Sequence, residues 1–234
     1  MGRFLYFFAG ITFLSGFVGG EPVLKSSTEK FNFGISINNS TIVHKFWLKS
    51  TGTDTVKIRK LETTCSCTTM PLARNEIAPG DSLEVTISWD TQRTFGPVNR
   101  YPRIYYEGAE EPLRIGLSTD VQYAPDSMLP LSIWPFKFEL GRHPVKSVDS
   151  LEFRIKNTTA KDIEVSIVSH VLEQCEIYLP KVIPAYSAAF GFIKIKLEFI
   201  DQEFENSITV RSSHDKKYFI TVPIRRKVYM DSSG

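Results

Sequence analysis

Cysteine is scarce in this chain, with 3 in 234 residues. That is too few for the disulfide lattice of a small secreted scaffold, so the fold must rest on apolar burial. Net charge is scarce as well. Twenty-eight basic against 26 acidic residues leave +2, without the clustered basic face of a nucleic-acid binder, and no nucleic-acid partner is expected. Outside the N-terminal segment no apolar run approaches the roughly 20 residues that span a bilayer. Nor does any stretch of about ten residues there carry clean helical spacing, which argues against a helical fold. There is no Gly-rich phosphate loop, nucleophile elbow or metal-binding His-Glu pattern. Acidic residues stand singly on polar phases, so a glycosidase pair has no anchor. Ser212-Ser213-His214-Asp215 has hydrolase letters, but consecutive residues of a turn rarely converge as nucleophile, base and orienter. An enzyme is not expected.

What is present begins with a secretory signal. Arg3 precedes an almost wholly apolar stretch from Phe4 to Phe17, and Gly19 and Gly20 precede the polar Glu21. Residues 1–20 therefore read as a signal peptide. Membrane association is expected only if that segment stays uncleaved. Export implies a secreted or periplasmic protein in an oxidising compartment, where thiols pair or bind metal.

Beyond the signal the dominant period is two. In Leu83-Glu84-Val85-Thr86-Ile87-Ser88-Trp89 every odd position is apolar and every even one polar, the pattern of a strand with one buried face. Phe46 and Leu48 follow it, as do Val56 and Ile58, and later Phe153 and Ile155, Ile163 to Ile167, Ile193 to Leu197 and Tyr218 to Ile224. Turn residues separate these runs. Ala78-Pro79-Gly80-Asp81 fits a type II turn, since Pro sets the first dihedral and Gly accepts a positive second one. The blocks also recur: Phe31 superposes on Phe138, Phe46 on Phe153 and Leu48 on Ile155. In the second copy Ala185 stands for Gly80, so a different turn is expected there. The fold class is all-β, two tandem immunoglobulin-like antiparallel β-sandwiches. The first is expected over 21–122 and the second over 136–230, joined by a Pro-containing linker at 123–135.

The first copy resembles the bacterial domain of unknown function numbered 1573. The resemblance lies in Phe31 to Gly34, Ser50 to Gly52, Cys65 to Thr68 and Ile77 to Gly80, in that order. It implies a β-sandwich of the Hydin-type, major-sperm-protein-like branch, and an extracytoplasmic, generally non-enzymatic module. The second copy matches only in its hydrophobic and turn pattern.

Cys65-x-Cys67 is the one chemically suggestive spot. On a regular strand residues i and i+2 lie about 6.6 Å apart, so the backbone must bend for these two to bridge. Three uses stay open: a structural staple, a redox-active pair, or Cu(I) held by both thiolates and the thioether of Met70. No other cofactor is expected. Cys175 aligns close to this segment in the second copy, and a bridge between copies is not expected. Trp47, on the polar phase between Lys45 and Lys49, with Tyr101, Tyr105 and Tyr106, has the composition of an interaction patch; contact with the second sandwich is favoured over a foreign partner. Lys216, Lys217, Arg225, Arg226 and Lys227 read as a solvated face. The expected function is protein binding or scaffolding of an extracytoplasmic protein or envelope component, with exposed strand edges as the means.

Overall fold

The computed structural model describes residues 20–123, 130–142, 146–170, 172–214 and 218–229. The signal segment up to residue 19, residues 124–129 of the linker, and Lys216 and Lys217 lie outside them. The chain is built of strands: β1 (Leu24–Ser26), β2 (Lys30–Ile37), β3 (Thr41–Ser50), β4 (Val56–Glu62), β5 (Thr68–Thr69), β6 (Glu76–Ile77), β7 (Ser82–Asp90), β8 (Gly96–Arg100), β9 (Arg103–Tyr106), β10 (Leu113–Arg114) and β11 (Gly116–Gln122) form the first half. The second half comprises β12 (Leu131–Trp134), β13 (Phe138–Arg142), β14 (Ser150–Asn157), β15 (Ile163–His170), β16 (Cys175–Tyr178), β17 (Val182–Ile183), β18 (Ala188–Ile195), β19 (Phe204–Ser212) and β20 (Phe219–Val228).

The first sandwich packs a sheet of order β1-β3-β7-β5 against β10-β9-β4-β6 and the strands β2, β11 and β8. Alternation along β7 puts Leu83, Val85, Ile87 and Trp89 into its core, opposite Phe46, Leu48, Val56 and Ile77. The second sandwich packs β12-β14-β18-β16 against β17-β15-β19-β20. It therefore begins inside the expected linker 123–135, where Leu131 and Ile133 enter its core because β12 pairs with β14. Its core holds Phe138 and Phe153, stacked at 4.7 Å, with Ile155, Ile163, Ile193, Val210 and Val222. Most pairs are antiparallel. In each sandwich, however, an early strand runs parallel to the last one, β2 with β11 and β13 with β20.

The two sandwiches share a sheet, because β2 meets β20 at Ile35 and Ile220. Gly34 makes this approach possible. Its φ is +67°, and a Cβ there would lie 2.0 Å from the carbonyl oxygen of Phe219. Polar side chains complete the junction. The Thr221 hydroxyl donates to the Phe33 carbonyl at 2.6 Å, and the Val43 amide donates to Ser207 Oγ at 2.8 Å. The Lys45 ammonium pairs with Glu173 at 2.9 Å. The last two lie on β3 beyond the Leu48–Ser50 stretch that pairs with β1.

Several expectations need correction. Leu197 does not continue the strand begun at Ile193: it lies in a short 3-10 turn (Leu197–Phe199) and is 78% exposed. Arg226 is not on a solvated face but fully buried, its guanidinium donating to Asp149, Val148 O and Ile200 O. The turn in the second copy keeps the form of the first. Ala78 O accepts from Asp81 N, and Pro184 O from Ser187 N, so Tyr186, not Ala185, occupies the place of Gly80. Its φ is +50° against +79° for Gly80.

Candidate functional site

Cys65 and Cys67 lie in the turn that joins β4 to β5, and they are disulfide-bonded, with Cα atoms 5.1 Å apart. The bend that the pair requires is supplied by local hydrogen bonds. The Thr68 amide donates to Cys65 O at 3.3 Å, and the Thr63 hydroxyl donates to the same carbonyl at 3.1 Å. The Asp90 amide donates to Cys67 O at 2.7 Å, fastening the turn to the end of β7. Both cysteines are half-buried, and their sulfurs lie near Thr68 Oγ1, at 3.6 and 3.9 Å.

Met70 does not complete a three-sulfur site in this form. It is 4% exposed and belongs to the first core, and sulfurs bonded to each other offer no thiolate to a soft ion. Among the described residues no group of three or more His, Cys, Asp or Glu converges as metal ligands. Cys175 is free and buried, at the register position that Thr68 holds in the first sandwich. Burial pushes its thiol up to about 11, so it is protonated and unreactive at neutral pH.

The expected aromatic patch divides. Trp47 is 48% exposed on the outer face of the sheet containing β3, whereas Tyr105 faces outward from β9 in the opposing sheet. Outer faces of a sandwich point away from each other, so these residues cannot share one contact. Tyr101 is exposed between β8 and β9, Tyr106 packs partly on the core, and the Lys60 ammonium lies over the Tyr105 ring at 5.5 Å. Nor does Trp47 carry the contact with the second sandwich. Thr41, Val43, His44 and Lys45 of the same strand do, through Glu205, Ser207, Ser169 and Glu173.

His44 went unnoticed as a junction residue because a lone His on a strand carries no pattern. It is 6% exposed, stacked on Phe31 at 3.7 Å, with Nε2 on the Thr28 hydroxyl and Nδ1 on the Ser169 hydroxyl. Burial holds its pKa down at about 4, so at neutral pH the ring is uncharged.

Two surface features also escaped the sequence reading. The first is the outer edge of β15, where Val168 is 38% and nearby Val182 45% exposed. Beside it Val165, Ile167, Leu179, Val182, Lys181 and Arg211 line an open groove of about 1070 Å³. The second is an aromatic outer face on β12, β18 and β16. Its signal was legible: Phe190 and Phe192 fall on the opposite phase to the core residues Ile193 and Ile195.

The chain is thus a tandem of immunoglobulin-like all-β sandwiches without helical layers among its described residues. The sequence profile of the family described as "Protein of unknown function (DUF1573)" matches residues 24–121, the span of the first sandwich. No curated protein matches the chain. Among solved structures, a protein of unknown function from Porphyromonas gingivalis W83 is similar at 10% identity and a TM-score of 0.37, over 87% of this chain and 98% of that one. The Escherichia coli chaperone DraB is similar at 9% identity and 0.33, over 89% and 97%. A PapD-like domain of human CEP192 is similar at 15% and 0.37, over 43% and 86%.

Proposed function

We propose that the protein is an exported, non-catalytic binding module that takes an extended segment of another extracytoplasmic protein along the free edge of β15. The observation that carries this reading is the state of that edge. β15 pairs with β19 on one side, and on the other β17 pairs Ile163 and Glu164 while the Val165 amide donates to Lys181 O at 2.9 Å. Among the described residues Ser166 to Val168 then present an outer edge without proline or lysine, irregular at Val168. It lies beside a groove lined by Val165, Ile167, Leu179 and Val182 together with polar side chains. Ser169 beyond it is buried on His44. An edge left in this state accepts a further strand, with main-chain hydrogen bonds giving affinity and side-chain pockets specificity. Export, and hence a partner in the periplasm or outside the cell, rests on the N-terminal segment of the sequence.

The test is a photo-crosslinking residue placed at Ser166 in the protein expressed in its native envelope, with Lys57 on β4 as the control position. A discrete adduct from Ser166 alone, suppressed by Val168→Lys, supports the edge. Equal adducts from both positions, or an adduct indifferent to Val168→Lys, ends this reading. A thiol-redox role is the second reading, favoured by the partial exposure of the Cys65–Cys67 bridge. Loss of the cysteines would abolish that role and leave the Ser166 adduct in place.

A further inference from the structure

The outer face of β12-β14-β18-β16 carries aromatic rings where a solvated sheet face carries polar side chains. Trp134, Phe190, Phe192 and Tyr178 are 55, 56, 49 and 55% exposed. Strand register fixes how they are arranged. Trp134 is opposite Arg154, and Arg154 is opposite Phe190, so a guanidinium stem rises between two rings. In the next row Glu152 is opposite Phe192 and Phe192 is opposite Tyr178, these two rings stacking at 5.5 Å. Trp134, Glu152, Arg154 and Phe190 border a cleft of about 320 Å³. Two strand spacings, about 9.6 Å, separate Trp134 from Phe190, which is close to the length of a disaccharide.

We propose that this face binds a neutral polysaccharide of equatorially linked hexoses, whose successive sugar rings can lie on the successive aromatic rings of the sheet. The C–H face of a pyranose is apolar and lies on an aromatic ring, while its hydroxyls both donate and accept hydrogen bonds. Glu152 and Arg154 supply the complement. Among the described residues neither side chain makes a hydrogen bond or ion pair, and both are exposed at the cleft. The face is of mixed sign, with Glu152 and Glu176 among Arg154, Lys156 and Lys194. Neither a strongly anionic nor a strongly cationic occupant is therefore complemented throughout, whereas hydroxyl groups satisfy carboxylate and guanidinium alike. Trp134 and Phe190 then hold sugar rings at the two ends of the cleft, and Phe192 with Tyr178 extends the platform along the chain.

The experiment titrates the exported protein with cellohexaose and chitohexaose, followed by calorimetry and tryptophan fluorescence. Saturable binding is expected, weakened at least tenfold by Trp134→Ala and by Phe190→Ala, and untouched by Trp47→Ala. All these side chains are exposed, and unchanged melting curves confirm that the variants fold. Val168→Lys also leaves glycan binding intact, which separates this site from the strand-edge reading. The proposal is overturned if neither hexasaccharide binds at millimolar concentration, or if binding survives both substitutions. It is equally overturned if sedimentation shows a dimer that Trp134→Ala dissolves, or if phosphatidylglycerol vesicles retain the protein and lose that variant, since the face would then belong to a second copy or to lipid.

Discussion

β4 in the first sandwich and β15 in the second occupy the same place, each beside one full partner strand with a two-residue strand touching its far edge. Their sequences differ in kind. β4 reads Val56-Lys57-Ile58-Arg59-Lys60-Leu61-Glu62 and exposes three cations, whereas β15 exposes Glu164, Val168 and His170. Charged side chains, lysine above all, discourage the addition of another strand, so the first edge is guarded and the second is open. The outer sheets differ in the same sense, since aromatic rings crowd the face of β18 while the corresponding positions of β7 carry Glu84, Thr86 and Ser88. One architecture thus carries a charged edge and polar outer face in one copy and a less guarded edge and aromatic outer face in the other. The first copy also props the second, through the shared sheet and the hydroxyl contacts at the junction.

The largest expected effect would break this comparison at a feature with no counterpart among the buried residues of the first sandwich. Arg226 is enclosed in the second, bound to Asp149 and two carbonyls. Arg226→Ala strands those acceptors and should cost about 4 kcal/mol in denaturant unfolding. If the sandwiches unfold as one unit, a single transition moves to lower denaturant. If they do not, only the second half loses its signal.

The junction can be weakened by acid. The fold holds His44 uncharged, with a pKa lowered by burial from 6.5 to about 4. Above pH 6.5 it makes no pH-dependent contribution. As pH falls toward 4 the unfolded chain takes up a proton that the folded chain refuses, so stability declines by about 3 kcal/mol. Carboxylates titrate over part of this range too, and the difference between the wild type and His44→Gln isolates the ring. Parallel pH profiles for the two proteins would remove His44 from the account.

The disulfide distinguishes the first sandwich at lower cost. A bridge between positions two apart closes a very short loop, so it restrains the unfolded chain little. Replacing Cys65 and Cys67 together by Ser should lower stability by about 1.5 kcal/mol, measured with Cys175 left in place. A loss several times larger would make the bridge essential to the turn.

The smallest effect concerns the paired turns. Gly80 accepts a positive φ freely, whereas Tyr186 does so under strain and with its ring 73% exposed. Tyr186→Gly should therefore stabilise by about 1 kcal/mol, relief of strain being partly offset by the greater freedom of glycine when unfolded. A destabilising outcome would show that the Tyr186 ring makes a compensating contact.

Much of this architecture was readable along the chain. Period-two alternation placed Phe46, Val85, Ile155 and Ile193 inside before any strand was paired, because successive strand side chains must face opposite ways. The sequence also placed the bend at Cys65 and Cys67, since two cysteines of one strand face cannot otherwise meet, and it placed the positive φ at Gly80. It could not show that Arg226 is buried, because the strand-phase rule assumes one wet face, and β20 lies where a second layer and the turn after β18 close over it. It misplaced Ala185 for the same class of reason: a turn is defined by which carbonyl meets which amide, not by which residue is smallest. The partition of Trp47 from Tyr105, the fusion of the sandwiches at Gly34, and the choice of β15 over β4 as the open edge were decided only in three dimensions. Alternation tells each residue which way to point relative to its own strand. Which neighbour then covers it depends on contacts between segments more than a hundred residues apart, such as Ile35 with Ile220.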